Sequence, residues 1–69
     1  MDPAKLVLGN EYEYHDGSGK VIRVRFTDSS TGSLTFYVFE TVGVDDGKQI
    51  VLAPSDVRSM IFSLIDSNS

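Results

Sequence analysis

The stretch LAPSDVRSMIFSLID, residues 52–66, decides the fold of this chain. As a helix, it places Val57, Met60, Ile61, Leu64 and Ile65 at i, i+3, i+4, i+7 and i+8, on one face. Ser55 is then a candidate N-cap, and Asp56 sits near the positive end of the helix dipole. Against this, Phe62 falls on the polar face and Asp66 lies at the wrong end of the dipole. The interior holds two serines and no Ala, Glu, Gln or Lys, so helix propensity is weak. As a β segment, the same residues form a strand end, a tight Pro-Ser-Asp turn and a last strand through Met60-Ile61-Phe62. Four antiparallel strands alone leave two edges open, and a fifth pairing back onto the first strand closes them. The expected fold is therefore mainly β. It is a small five-stranded antiparallel barrel with a short 3-10 turn near residues 54–57. The alternative is α+β, a four-stranded antiparallel meander with a C-terminal helix over about residues 55–66.

Upstream of this stretch, three turn signals divide the chain: Asp16-Gly17-Ser18-Gly19, the run DSSTGS at residues 28–33, and Asp45-Asp46-Gly47. Glycine supplies positive φ in such turns, and Asp and Ser bond their own backbone. The segments between them are rich in Val, Ile, Tyr, Phe and Thr, which suit a half-buried pleated surface.

The first hairpin is specified twice over. With Asp16 opposite Lys20, Tyr14 faces Ile22 and Tyr12 faces Val24. The same register sets Glu13 against Arg23 and Glu11 against Arg25, and a slip of one residue breaks both sets. For the second hairpin, Phe26 opposite Leu34 aligns Val24 with Phe36 and Ile22 with Val38. That leaves Val21, Arg23, Tyr37 and Phe39 on the outer face. For the third, Gly47 suits a left-handed position after a type I turn, with Val42 opposite Ile50. That register sets Glu40 against Leu52 on the buried side. A bulge, strand end or barrel corner is therefore expected near Phe39-Glu40.

A chain of 69 residues is one small domain over residues 1–69, with an ordered core of about 6–65 and frayed ends at 1–4 and 66–69. Folding buries only roughly 60% of the unfolded surface at this size, so the core has little to spare. With no cysteine there is no disulfide and no thiolate zinc site. The opening MDPAKLVLG does not read as a signal peptide, and no segment approaches the apolar length of a membrane span. The default reading is a small acidic protein, soluble and cytoplasmic. A net charge of −4 argues against general affinity for phosphate backbones or anionic membranes, both of which rest on clustered Lys and Arg.

Candidate chemistry is sparse. His15 beside Asp16 has no second His and no Cys, whereas catalytic and metal sites need several converging groups. Asp45-Asp46-Gly47 lacks the spacing and closing Glu of a calcium loop. The glycines do not form a phosphate loop, because no strand-to-helix junction with a following Lys and Ser or Thr is present. No catalytic, cofactor-binding or metal-binding residue is assigned, no cofactor is expected, and the chain is read as non-enzymatic.

Five strands joined by hairpins, with Pro54, Ser55, Asp56 and Val57 before a last short apolar strand, resemble the Src-homology-3-like small β-barrel. In that family a PSNYV-like segment forms a 3-10 turn between the fourth and fifth strands. The segment YEYHD, residues 12–16, is similar to the aromatic-acidic run that begins such domains. The likeness spans roughly residues 6–65. Peptide-binding members clasp proline helices with a Trp and a Tyr. This chain has no Trp, and Asp56 or Val57 stands where that Tyr would be, so proline recognition does not transfer. Other small barrels bind methylated side chains through aromatic cages, for which Tyr37 and Phe39 are the outer-face candidates.

The functional expectation is a small accessory module acting through protein–protein interaction or self-association. Its partner-binding residues would be Val21, Arg23, Tyr37 and Phe39, since exposed apolar residues beside Arg and Tyr suit an interface. The alternative is a nucleic-acid-binding small barrel using Lys20, Arg23 and Arg25. Nucleic acid is the less favoured partner, and no membrane is expected.

Overall fold

The first hairpin forms as its two patterns dictate. Strand β1, Glu11–His15, pairs antiparallel with β2, Val21–Thr31, and Glu11, Tyr12, Glu13 and Tyr14 lie opposite Arg25, Val24, Arg23 and Ile22. Gly17 and Gly19 in the turn have φ of 87° and 96°, a region that L side chains avoid. The computed structural model describes residues 1–43 and 47–64. Asp45, Asp46 and Ile65 lie outside the described residues, as do the C-terminal residues 66–69.

The second hairpin differs from expectation. β2 does not stop at Asp28. It runs on through Asp28, Ser29 and Ser30 to Thr31, and the chain reverses around Gly32 and Ser33. Strand β3, Thr35–Thr41, therefore pairs further along, with Phe26 opposite Phe39 and Val24 opposite Thr41. The offset from the expected register is five residues. An odd offset exchanges the two faces of a strand, so Tyr37, Phe39 and Thr41 point inward and Phe36, Val38 and Glu40 point outward. A bulge at Thr27 lies between the Phe26–Phe39 and Asp28–Val38 pairs. It flips the parity of β2, so that Asp28 and Ser30 turn outward with Val38 and Phe36.

Strand β4, Gln49–Leu52, pairs with β3 so that Leu52 faces Tyr37, Ile50 faces Phe39 and Val51 faces Val38. The expected conflict between Glu40 and Leu52 does not arise, because Glu40 faces Gln49 on the outer side. Gly47 has the left-handed φ anticipated for it, 77°.

The deciding stretch is both helix and strand. Helix α1, Pro54–Met60, is followed at once by β5, Ile61–Ser63. Pro54 opens the helix, where its missing N–H costs nothing. The cap is Ala53, not Ser55, and the Asp56 carboxylate accepts a bond from the Ala53 N–H at 3.4 Å. A seven-residue α-helix thus stands where a 3-10 turn was expected. It ends at Met60, well short of the twelve-residue alternative. The Ile61 N–H still bonds the Val57 carbonyl while its own backbone is already extended. β5 pairs with β1, Ile61 opposite Tyr14 and Phe62 opposite Glu13.

The result is a mainly β fold, with one five-stranded antiparallel sheet in the order β4-β3-β2-β1-β5. Among the described residues β4 and β5 do not pair with each other, so the sheet is open, and α1 carries the chain from one edge to the other. The inner face holds Tyr12, Val24, Phe26, Phe39 and Leu52, with Val57 and Ile61 from the α1–β5 unit completing the core. The Tyr12 hydroxyl accepts a bond from the Val7 N–H at 2.9 Å, which keeps this buried oxygen satisfied. The first residues, expected to fray, form a 3-10 turn over Pro3–Lys5 with Pro3 buried. The Met1 amino group donates to the carbonyls of Arg58 and Ile61, each at 3.0 Å.

Candidate interaction surface

The outer face of the sheet divides into two halves of different chemistry. Over β1, β2 and β5 it combines paired charges with the exposed apolar side chains of Val21 and Phe62. Glu11 takes both arginines, with its carboxylate 3.1 Å from Arg25 Nη2 and 3.7 Å from Arg23 Nη1. Glu13 does not reach Arg23 as expected. Its Oε1 lies 3.3 Å from His15 Nε2. The His15 ring in turn lies against Phe62, with centroids 4.3 Å apart. Val21 stands exposed opposite His15.

This arrangement redistributes the residues named from sequence. Val21 and Arg23 are on the outer face at the β1–β2 end. Tyr37 is on the inner face, partly buried, its ring 6.1 Å from that of Phe26. Phe39 is fully buried in the core and so is absent from any exposed patch. The four do not converge, and the aromatic cage suggested by Tyr37 and Phe39 has no outer-face members. The cause is the odd register offset of β3. Of the basic stripe, Lys20 sits exposed beside the first turn, while Arg23 and Arg25 share Glu11.

Over β3 and β4 the outer face is apolar. Val38 and Val51 lie directly opposite each other, and Phe36 is the next outward residue along β3. Val51 is 59% exposed and Phe36 37%. Leu34, at the nearby hairpin end, is 76% exposed. Asp28 faces Val38 from β2, and Glu40 faces Gln49 from β3, so carboxylates flank the row. Strand β4 is also an edge of the sheet.

The sequence reading missed this row, because it placed Phe36 and Val38 inside. One signal did point to Val51: with Ile50 and Leu52 inward, strand alternation sends Val51 outward. A second was the clash of Glu40 with Leu52, which marked the β3 register as wrong.

One carboxyl is displaced from its ordinary behaviour. Asp16 is held below its usual value of 3.8, first by the hydrogen bond from the Ser18 hydroxyl and then by that from the Ser18 N–H. These bonds are 2.7 and 2.8 Å long, and they brace the first turn rather than form a reactive group. Among the described residues no group of three or more His, Asp or Glu side chains is placed to hold a metal ion. No helix among them is long and apolar enough to cross a membrane.

Comparison of the chain with protein-family models, with curated proteins and with solved structures gives no match.

Proposed function

We propose that this chain is a small non-enzymatic protein-binding module that acts through the outer face of β3 and β4. The observation that carries this reading is the row Phe36, Val38 and Val51 standing on the outer face beside a sheet edge. Single exposed valines are ordinary on any protein surface. A contiguous apolar row next to unpaired strand backbone is not, because both features favour association. The likeness to a Src-homology-3-like small barrel belongs to the same proposal. It is supported by five antiparallel strands with a single helical element between the fourth and fifth. The nucleic-acid alternative loses support, since Arg23 and Arg25 are already paired with Glu11 and the chain is acidic.

The test compares the wild type with a Val38→Lys, Val51→Lys double variant and an Arg23→Ala control. Each is immobilised and exposed to a cell lysate, after circular dichroism has confirmed equal folding. Proteins retained by the wild type and the control but not by the double variant support the reading. Identical capture by all three would place binding elsewhere.

A further inference from the structure

We infer that Asp16-Gly17 is a dormant covalent modification site, an Asp-Gly link that converts to isoaspartate when Ser18 releases the Asp16 side chain. The dipeptide lies in the first turn, with Gly17 and Ser18 exposed to water. In the reaction the Gly17 nitrogen bonds to Asp16 Cγ, the Cγ–OH bond breaks, and the amide proton leaves with that hydroxyl as water. Water then reopens the cyclic imide. Addition at Cγ restores Asp16. Addition at the main-chain carbonyl carbon gives isoaspartate, whose backbone runs through Cβ and Cγ. No reactant other than water is needed. Glycine obstructs this ring closure least, as it has no Cβ beside the attacking nitrogen. At Gly17 the φ is 87° and nothing lies within 4 Å of a built Cβ, so no neighbouring part of the fold shields the link.

What restrains the link is Ser18. Its hydroxyl and its N–H both donate to Asp16 Oδ1, at 2.7 and 2.8 Å. Charge-assisted bonds of this kind favour the ionised carboxylate. A carboxylate has no hydroxyl to lose as water, so imide formation needs the protonated form. The same two bonds hold the Asp16 carboxyl below its ordinary 3.8, with smaller help from the backbone and charge of Lys20. Fixing Oδ1 on Ser18 also restricts rotation of the carboxyl, and ring closure depends on that rotation to bring Cγ onto the nitrogen. The consequence of release reaches the sheet. The Asp16 N–H bonds the Lys20 carbonyl at 3.2 Å and closes the loop between β1 and β2. An added backbone carbon at Asp16 lengthens that loop just beyond the paired His15 and Val21. Loop length helps to set the register of a hairpin, so isoaspartate loosens β1 and β2 from this end.

The test incubates the wild type, Ser18→Ala and Ser18→Thr at about pH 6, where a carboxyl such as Asp16 is mostly ionised. Circular dichroism first confirms that each is folded. Isoaspartate is located by mass spectrometry with electron-driven fragmentation at Asp16 and at Asp46, which precedes Gly47 in the same dipeptide and serves as the internal reference. A synthetic peptide of residues 12–22 gives the unrestrained rate. Ser18→Ala is expected to form isoaspartate at Asp16 at least about threefold faster than the wild type, a modest factor because solvent screens an exposed charged group. Asp46 is expected to react equally in both. The peptide is expected to be fastest. Ser18→Thr keeps both donors and is expected to match the wild type.

Equal rates at Asp16 in the wild type and Ser18→Ala would overturn the inference. So would a parallel rise at Asp46, which marks general loosening, or a Ser18→Thr chain as fast as Ser18→Ala. A folded wild type that reacts as fast as the peptide would also overturn it, and that comparison stands even where Ser18→Ala fails to fold.

Discussion

Phe26 and Phe39 lie directly opposite each other across β2 and β3, both buried, with ring centroids 5.3 Å apart. This pair sets the register of the sheet, and with it the face on which every other β3 residue stands. Phe39→Ala is expected to cost about 3–5 kcal/mol, because it empties a fully enclosed volume. In so small a domain that loss is enough to unfold a large share of the molecules. Phe36→Ala, three residues away on the outer face, is expected to change stability by less than about 1 kcal/mol. Urea denaturation of the two variants checks the assignment of faces. Equal losses would mean that the register is wrong.

Glu11 is the shared acceptor for two arginines. A double-mutant cycle between Glu11 and Arg25 is expected to show a coupling of about 0.2–1 kcal/mol, since both side chains are partly exposed and solvent screens the pair. The same cycle between Glu13 and Arg23 is expected to show none, although the two residues are cross-strand partners. Glu13 points instead to His15.

Acid sensitivity follows from the first turn. The Asp16 carboxyl is depressed in the folded state by the two bonds from Ser18, so its ionised form is favoured by folding. The stability it contributes is present above its ordinary value of 3.8 and is lost as pH falls through the lower folded value. Ser18→Ala removes the hydroxyl donor and is expected to move the Asp16 midpoint upward, toward 3.8. Carbon-detected titration of the side-chain carboxyl reads this directly. An unmoved midpoint in the variant would show that the hydroxyl is not the cause.

Gly47 and Gly32 make a matched pair of tests. Gly47 has φ of +77°, and a Cβ there would lie 2.8 Å from Glu40 Oε2. That carboxylate is the end of a flexible side chain and can move, so the cost resides in the backbone. Gly47→Ala is expected to lose about 1–2 kcal/mol. Gly32 has no left-handed φ, and nothing lies within 4 Å of a built Cβ. Gly32→Ala is expected to stay within about 0.5 kcal/mol of the wild type. Thermal unfolding distinguishes them.

The change from α1 to β5 takes place within one peptide link. Backbone chemical shifts are expected to be helical through Met60 and extended from Ile61, which keeps φ of −102° and ψ of 131°. Helical shifts continuing through Phe62 would contradict the pairing of β5 with β1.

Some of this was readable because independent patterns agreed. In the first hairpin the apolar set and the charge set chose the same register, and the structure has it pair for pair. The second hairpin carried a conflicting signal. Asp28, Ser29 and Ser30 have the residue types of a turn, yet they pair with Val38, Tyr37 and Phe36. Local preference lost there to burial: only the longer strand brings Phe39 against Phe26 and Ile50 against Phe39 on the inner face. That same shift moved Phe39 out of the candidate surface and brought Phe36 and Val38 into it.

The stretch LAPSDVRSMIFSLID shows where the boundary lies. Taken alone, the sequence offered a helix with Val57 and Ile61 on one face, because their spacing of four fits one turn of helix. Its alternative was a turn and a last strand through Met60-Ile61-Phe62 pairing with the first strand, because a short sheet needs that edge covered. It did not determine where one structure yields to the other. Ile61 satisfies both, ending the helix through its N–H and filling the core from β5. Only the tertiary structure decided that the helix ends at Met60, since β1 offers Tyr14 as the partner of Ile61 and a longer helix would forfeit that pairing. Likewise, the sequence determined which residues are apolar, but the odd offset between β2 and β3 decided which of them face water.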